Sequence, residues 1–577
     1  MKRCHVGGEV PADSLDCFPG LLAEYVLSKE EFQQVMSAPT DYVFKPHERP
    51  TLPGSPYNPE HARSRRMGYF AIGCLLGITQ GLGNALVTVN LNFAQGTLGL
   101  FSNEANWLTA AYFMVYVSAN LMLVKYRQQF GLQSFVRYTL VVHALINLLH
   151  LFVETFWMAV AVRAVSAIAA AGLTTLAINY LLQAMLPPKK LLGIMIGISI
   201  PQLAVPLARV LSPGLLDAGD WHMLYWFEFA LALASLIAVM LLPLPPSDRS
   251  KVFEPLDFLT FGLLGPGLAL LVAVVSEGRI EWWTERAWMG WSLAAGIALI
   301  AAGLLIEHRR ASPLINTRWL SRREMVRVIL VAAAIRILLS EQTFGSVGLL
   351  TIFGMLNDQM ITLNLIILTA SIAGIAVSVL TFKPDNPASA VRLATLLIAI
   401  GAFLDADATN LTRPANFYFT QALIGFASLL FLGRAMVIGM AQTLLAGGQN
   451  FVSFVVLFNI SQSVGGQIGT AFLGTFQTFR ERFHSNELVQ TITMANPLVA
   501  ARIHEDGAAR FSQTVSREAN ILAYNDVFLL VGILAVLTLL WGFAIRWSMR
   551  RRQELSPIIV LQQKAMSAQA AQTGHEK

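Results

Sequence analysis

Long apolar runs and short polar stretches alternate along the chain from residue 68 to residue 547. In order, the apolar runs cover 68–89, 107–124, 138–153, 157–185, 191–211, 223–244, 258–275, 288–306, 328–353, 361–382, 391–404, 417–445, 451–476 and 527–547. A helix needs about 20 residues to cross the hydrocarbon core of a bilayer. In lipid no water is at hand for an open backbone, so each run is predicted to be a helix that closes its own hydrogen bonds. The pattern predicts an all-α integral membrane protein with about fourteen transmembrane helices, numbered here as spans 1 to 14. Span 11 is the shortest and stops at Asp405 and Asp407.

The polar remainder is uneven. Residues 1–66 carry Pro46, Pro50, Pro53, Pro56 and Pro59 and read as a cytoplasmic tail, with a short helix expected at 21–36. No cleavable leader is expected, because this polar stretch precedes the first apolar run, which then serves as an uncleaved anchor. Residues 480–524 form the one long polar segment between spans and are expected to be a loop.

Charge fixes the orientation. Arg63, Arg65 and Arg66 precede span 1, and Lys or Arg follows spans 2, 4, 6, 8, 10 and 14. The loops after spans 1, 3, 5 and 9 have neither, and the loop after span 12 carries no charge. Basic loops stay in the cytoplasm, so both termini are expected there, with segment 480–524 in the periplasm. Only 13% of the 577 residues are charged and 55% are hydrophobic, against about 25% charged in soluble domains. The net charge of +6 lies in loops, which excludes a nucleic-acid reading. Three cysteines, Cys4, Cys17 and Cys74, make neither a disulfide framework nor a metal site.

These runs divide as six spans, two, and six. The expected parts are a tail at 1–66, a six-helix bundle at 67–245, and a two-helix insert at 246–307. A cytoplasmic linker at 308–324, a second bundle at 325–547 and a tail at 548–577 follow. Paired six-helix halves around a central path are a common transporter plan.

Three motifs carry a resemblance. TLGLFSNEANWLTAAY at 97–112, RRASPLINTRWLSRR at 309–323 and the Gly-rich SVGGQIGTA at 463–471 are similar to segments of EmrB-type multidrug exporters. These form the fourteen-span drug:proton antiporter branch of the major facilitator superfamily. The resemblance runs from about Gly68 to Trp547. It implies the major facilitator fold and a proton-driven exporter of drugs or toxic metabolites in a bacterial inner membrane. It further implies a periplasmic membrane-fusion adaptor and an outer-membrane channel as partners. The span 4 arginine of the family matches Arg163, but the span 1 aspartate position holds Asn84. The family's GxLaDRxG loop reads VKYRQQFG at 124–131, and its span 5 Gly pairs give way to Ala208–Arg209 and Ser212–Pro213.

A charge at bilayer depth costs at least about 2.5–3.5 kcal/mol and usually faces a cavity or a partner. The candidates are Arg163, Arg209, Glu228, Arg336, Glu341 and Arg434. Each has an alternative reading as half of an ion pair that locks two helices. At about 1.5 Å rise per residue, Arg163, Arg209, Glu228 and Glu341 reach one outer level, with Asn84 nearby. Arg336 sits near mid-membrane and Arg434 lower. Gln202 and Arg209 share a face of span 5, where Pro206 is expected to bend the helix. Asn459, Ser463 and Gln467 form a polar stripe on span 13, and Gly465 and Gly469 suit close helix packing. His143 and His150 share a face of span 3 and are expected to be packed there.

A proton-coupled exporter needs a carboxylate whose protonation competes with substrate. Glu341 or Glu228 is the candidate for the role vacated at Asn84, with Arg163 or Arg209 modulating it. Arginine outnumbers glutamate in this set, which favours an anionic or weakly acidic substrate. Two other readings stay open: a proton-coupled importer of an organic anion, and a non-transporting sensor or scaffold. No P-loop, metal-ligand spacing or nucleophile elbow occurs, so no enzyme, cofactor or metal is expected.

Overall fold

The computed structural model describes Glu48 and residues 54–186, 189–216, 221–447 and 450–575. Two compact units divide the chain, Met1–Arg49 and Pro50–Lys577, and the second contains everything that follows. The helix expected at 21–36, like Cys4 and Cys17, lies outside the described residues.

Among the described residues, fourteen helices are long and apolar enough to cross a membrane. They are α1 (Arg63–Val89), α2 (Ser102–Phe130), α3 (Leu132–His150), α4 (Phe156–Ala184), α5 (Lys190–Leu216), α6 (His222–Leu241) and α7 (Pro255–Glu277). The second seven are α8 (Ala287–Arg309), α9 (Arg323–Ile352), α10 (Ile361–Leu380), α11 (Ala388–Asp405), α12 (Pro414–Leu445), α13 (Phe451–Thr491) and α14 (Ala508–Arg551). Each expected span falls on one of them. Among the described residues the structure has no β-strand, only an isolated bridge between Pro56 and Ser247.

Segment 480–524 is the main departure from expectation. It is not an extended loop but a helical hairpin: α13 runs on to Thr491, a short helix covers Pro497–Asp506, and α14 begins at Ala508. Charges such as Arg480, Glu481 and Arg482 end the apolar run but are good helix formers. Between Gly474 and Pro497 there is no Gly or Pro to stop the helix. The hairpin is tied at its base, where Arg480 Nε donates to Asp526 Oδ2 at 2.5 Å and His484 Nε2 lies 2.7 Å from the same oxygen.

Helix α4 packs on α1, α2, α3 and α5, while α12 packs on α10, α11 and α5. Lipid tails are as apolar as the helices, so close backbone approach, not hydrophobic burial, drives such contacts. At Gly433 an added Cβ would lie 3.0 Å from the Met195 Cβ, where α12 crosses α5. At Gly469 it would lie 3.0 Å from the Ile337 carbonyl oxygen, where α13 crosses α9. The expected packing role of the small residues on span 13 therefore holds at Gly469. Two helices are locally irregular. In α5 a 3-10 turn covers Ile200–Leu203, where Pro201 and Pro206 each remove a helix donor. The distortion lies one turn before Pro206 itself. In α9 a π-helical turn covers Glu341–Ser346.

The insert α7–α8 packs on itself, and α7 lies against α2 and α13. At the end of the bundle that carries Arg66, Lys125, Lys190 and Arg310, called here the basic face, a charge network anchors it. Lys125 of α2 meets Asp257 of α7 at 2.6 Å. Arg310 meets Asp257 at 2.9 Å, and Glu307 and Glu254 at 2.7 Å each. Ser312 donates to Glu254. Hydrogen bonds from Ser312 and from Arg310 hold the Glu254 carboxyl below the usual carboxylate range. At the other end Asn106 of α2 donates to Glu277 at 3.0 Å, and Trp283 donates to Thr475 of α13 at 2.8 Å.

Removing one member of a buried pair leaves an uncompensated charge. Asp257→Asn is expected to lower stability by on the order of 3 kcal/mol, read as the thermal unfolding midpoint of the purified protein in detergent. Glu254→Gln, at a more exposed position, is expected to shift it less. Equal midpoints for Asp257→Asn and the parent would contradict this account of the network.

Candidate functional site

The buried arginines divide by how many of their donors are taken. Arg163 of α4 is 1% exposed. Its NH1 donates to the Gly83 carbonyl at 2.8 Å, NH2 to Asn84 Oδ1 at 2.6 Å, and Nε to the Leu108 carbonyl at 3.4 Å. The guanidinium also lies over the Tyr112 ring at 4.8 Å. Every nitrogen is engaged, and the group knits α4 to α1 and α2. Arg434 behaves alike. Its Nε donates to the Ser378 carbonyl at 2.9 Å and NH2 to Thr381 Oγ1 at 3.0 Å. A cation against the last turn of α10 complements that helix's exposed carbonyls. Arg434 thereby ties α12 to the end of α10, and it is not among the residues that line the cavity described next.

Arg209 and Arg336 differ. Arg209 NH1 donates to Asn357 Oδ1 at 2.8 Å, and Arg336 Nε donates to the Gln462 carbonyl at 3.2 Å. Both line a cavity between α5 and the helices α9, α10, α12 and α13. Gln202 lines it too, as its shared face with Arg209 predicts. Gln342, Asn364 and Gln462 add amides, while Pro206, Leu339 and Phe431 add apolar wall. No carboxylate is among the lining residues. The free volume is about 80 Å³, far below the ~300–1,000 Å³ of small-molecule sites. In this conformation the cavity has room for only a few water-sized spaces.

Glu341 and Glu228 lie apart from each other. Glu341 is fully buried on the first residue of the π-helical turn. Gln421 Nε2 of α12 donates to Glu341 Oε1 at 3.0 Å and to Asp405 Oδ2 of α11 at 2.9 Å. One amide thus stands between two buried carboxylates. Gln342, the next residue after Glu341, lines the cavity and donates to the Gln421 main-chain carbonyl at 3.3 Å and to its side-chain Oε1 at 3.4 Å. Two side-chain steps therefore join the cavity wall to the carboxylate pair. Glu228 sits in the other half, buried on α6, and neither carboxylate oxygen has a hydrogen-bond partner among the described residues. No ion pair joins it to Arg163 among those residues. Asn84 is the partner of Arg163, as above. The four residues expected at one level share no hydrogen bond: Arg163 bonds Asn84, Arg209 bonds Asn357, Glu341 shares Gln421 with Asp405, and Glu228 has no hydrogen-bond partner among the described residues.

At the face opposite the basic one, Asn357 ties the halves. Its amide donates to Asn90 Oδ1 at 3.0 Å and to the Val89 carbonyl at 3.1 Å, while its oxygen accepts from Arg209. Asn90 in turn donates to Ser212 at 2.6 Å. Near the basic face Met195 of α5 packs with Val437 and Ala441 of α12.

Asn459 is half-buried and not among the cavity's lining residues; Gln462 of the same helix is. Of the polar stripe Asn459, Ser463 and Gln467, no member lines the cavity. His143 and His150 are buried packing residues: His150 Nδ1 lies 3.1 Å from the Ile146 carbonyl, and its ring stacks on Tyr225 at 4.8 Å. Sequence reasoning missed Asp405, Gln421, Gln342, Gln462 and Asn357. Asp405 carried a signal, an acid directly closing an apolar run; the amides carried none that sets them apart from loop or packing residues.

No family model matches the chain. In sequence it is similar to the multidrug resistance protein B homolog of Mycobacterium tuberculosis (strain CDC 1551 / Oshkosh), 26% identical over 379 residues. That match takes in 61% of this chain and 66% of the relative, so the chain spans just under two thirds of the relative's length. Among solved structures it is similar to the human organic anion transporter MFSD10 (TETRAN), with a TM-score of 0.51 and 15% identity over 82% of this chain and all of that one. A bacterial homologue of the human drug peptide transporters PepT1 and PepT2 gives a TM-score of 0.53 and 14% identity, over 84% of this chain and 99% of that one. Both of these solved structures are named for transporters. With fourteen apolar helices among its described residues in this arrangement, the chain has the major facilitator fold, and in sequence it is similar to the multidrug resistance protein B homolog.

Proposed function

We propose that this protein is a proton-motive-force-driven exporter of amphipathic small molecules, weak acids among them, working by alternating access across a bacterial inner membrane. One observation carries the reading. A narrow cavity between the halves holds two incompletely engaged guanidiniums and no carboxylate, and it is linked through Gln342 and Gln421 to the pair Glu341 and Asp405.

The guanidiniums of Arg209 and Arg336 suit an anionic group, and Phe431, Leu339 and Pro206 suit its apolar body. Two carboxylates buried around one amide repel when both are ionised, so the pair is a natural holder of one proton. Substrate pushing on Gln342 moves Gln421, and Gln421 sets how the proton is shared. The carboxylate that takes the role vacated at Asn84 is thus Glu341, with Asp405 as its partner; Glu228 is the competing candidate. The name of the mycobacterial relative supports export. Basic residues at one end of the bundle support cytoplasmic termini. The six–two–six division, with bundles at 67–245 and 325–547 and an insert at 246–307, is supported by the way α7 and α8 pack outside the other helices. The helical hairpin at 480–524, with Val489, Met494 and Leu498 exposed, supports docking of a periplasmic adaptor and through it an outer-membrane channel. An importer of organic anions shares the cavity chemistry and differs in the direction of flux.

Substrate accumulation in cells lacking their major efflux pumps tests this, with and without the protein and before and after an uncoupler. Export is expected to lower accumulation, and the uncoupler to restore it; raised accumulation would mean import. Glu341→Gln and Asp405→Asn are each expected to abolish uncoupler-sensitive export while downhill flux persists and the protein stays monodisperse. Full export by both variants, with loss in Glu228→Gln, would move the proton site to the other half.

Charge-assisted hydrogen bonds are worth about 1.5–3 kcal/mol. Arg209→Gln and Arg336→Gln are therefore expected to raise the half-saturating concentration of an acidic substrate about 10- to 100-fold. A neutral substrate of similar size is expected to be affected far less, and equal effects on both would refute the anion assignment.

Asn357→Ala should loosen the tie at the face opposite the basic one. With Val205→Cys as a reporter on the cavity wall, and the native cysteines replaced by serine, an impermeant maleimide added on that side is expected to label faster in the Asn357→Ala variant. Unchanged labelling would mean that the Asn357 bonds do not hold that side shut.

A further inference from the structure

Two cavities outside the proposed path lie side by side on the basic face. The first, about 400 Å³, is bounded by the end of α8, the linker and the start of α13. Its polar lining includes His308, Arg310, Asn316, Arg318, Arg322 and Asn450. The second, about 280 Å³, is bounded by α12 and the C-terminal segment and is lined mainly by Met325, Leu445, Leu555, Pro557 and Val560. Trp319, Arg322, Leu445 and Ala446 line both, so one chamber is polar and cationic and its neighbour apolar, with Arg322 at the join.

The cationic groups are not equivalent. Arg310 is committed to Glu254, Asp257 and Glu307, and that last carboxylate also accepts from the Ile315 amide. Arg318 and Arg322 are exposed, and neither guanidinium has a hydrogen bond or ion pair among the described residues. The other carboxylate at the site, Glu324, is exposed on the rim of the apolar chamber. In that chamber the Gln442 amide oxygen is buried without a hydrogen-bond partner. Depth adds an independent constraint. Helix α8 ends at Arg309 and α12 at Leu445, so the cavities lie where apolar helix gives way to polar chain, the level of lipid phosphates. Only 17% of the apolar window of α8 is buried, the smallest share of the fourteen, so this helix faces lipid and the site borders the bilayer.

We propose that the paired cavities bind a phosphate-bearing anion, with Arg318 and Arg322 as its forked donors and His308 beside them, and that the occupant is an anionic phospholipid of the adjoining leaflet. Guanidiniums match phosphate oxygens two at a time, and basic pockets among helix ends at this depth suit acidic headgroups. The apolar chamber receives the first part of an acyl chain, which a free phosphate would leave empty. The site involves α8, the linker, α12 and the C-terminal segment, so its occupant contacts both the insert and the last six helices. This assignment is independent of the transport reading, and its test reads binding alone.

The test uses the full-length protein, stripped of lipid in detergent, with phosphatidylglycerol or phosphatidylcholine added and adducts counted by native mass spectrometry. Phosphatidylglycerol is expected to be retained under activation that removes phosphatidylcholine. Arg318→Gln with Arg322→Gln is expected to weaken it about tenfold or more, while Arg550→Gln with Arg551→Gln leaves it unchanged. Val560→Trp, which fills the apolar chamber and spares the arginines, is expected to weaken the lipid as well. Excess inorganic phosphate separates the sources: a lipid site releases little phosphatidylglycerol, whereas displacement by phosphate with no effect of Val560→Trp would assign the site to a soluble anion and overturn the lipid occupant. No preference for phosphatidylglycerol, or equal loss in the two arginine pairs, would overturn the site itself.

Discussion

A charge taken out of water inside this bundle must find its partner on another helix, and that requirement orders the rest. A guanidinium offers five donors in a fixed fork. Arg163 places all three nitrogens on α1 and α2, and Arg434 places two on α10. Such groups become joints. Arg209 and Arg336 each make a single hydrogen bond through the guanidinium among the described residues and turn the remaining donors toward a cavity. The same residue type thus builds structure or leaves chemistry available according to how many acceptors its neighbours supply.

The two sets of six helices are unequal in this respect. Most of the cavity wall comes from α9, α10, α12 and α13, with α5 supplying Gln202, Val205, Pro206 and Arg209 from the first six. The carboxylate pair also lies wholly among the last six. In the first six, by contrast, Arg163 is closed on α1 and α2, while Glu228 is buried with no hydrogen-bond partner among the described residues. The irregular turns fall beside the cavity and the carboxylate pair: the π-helical turn carries Glu341 and Gln342, and the 3-10 turn carries Gln202. Widened turns of this kind tend to occur at functional positions.

The helices were legible because period and length leave little choice once lipid is the solvent. All fourteen runs, including the short one ending at Asp405, are helices. The hairpin after span 13 was not, because hydropathy reports where a helix leaves the membrane and not where it ends; Pro497 and Gly507 were the better markers. The candidate charges were legible singly, since each breaks an apolar run. Their partners were not. Gln421 lies 80 positions from Glu341, and Asn357 lies 148 from Arg209. Nothing local distinguishes such an amide from one that merely packs. Depth alone placed Arg163, Arg209, Glu228 and Glu341 together, but depth fixes one coordinate of three.

The length of α13 has a mechanical meaning. Its 41 residues make a rod of about 60 Å at 1.5 Å per residue, roughly twice the hydrocarbon thickness. Its apolar part packs against α9, and the polar part beyond it runs on to Thr491. A tilt of about 10° at the membrane would sweep the free tip through about 5 Å, with α14 following through Arg480, His484 and Asp526. The hairpin is in this sense a lever arm, and a displacement too small to see inside the bundle becomes one that another molecule can feel outside it.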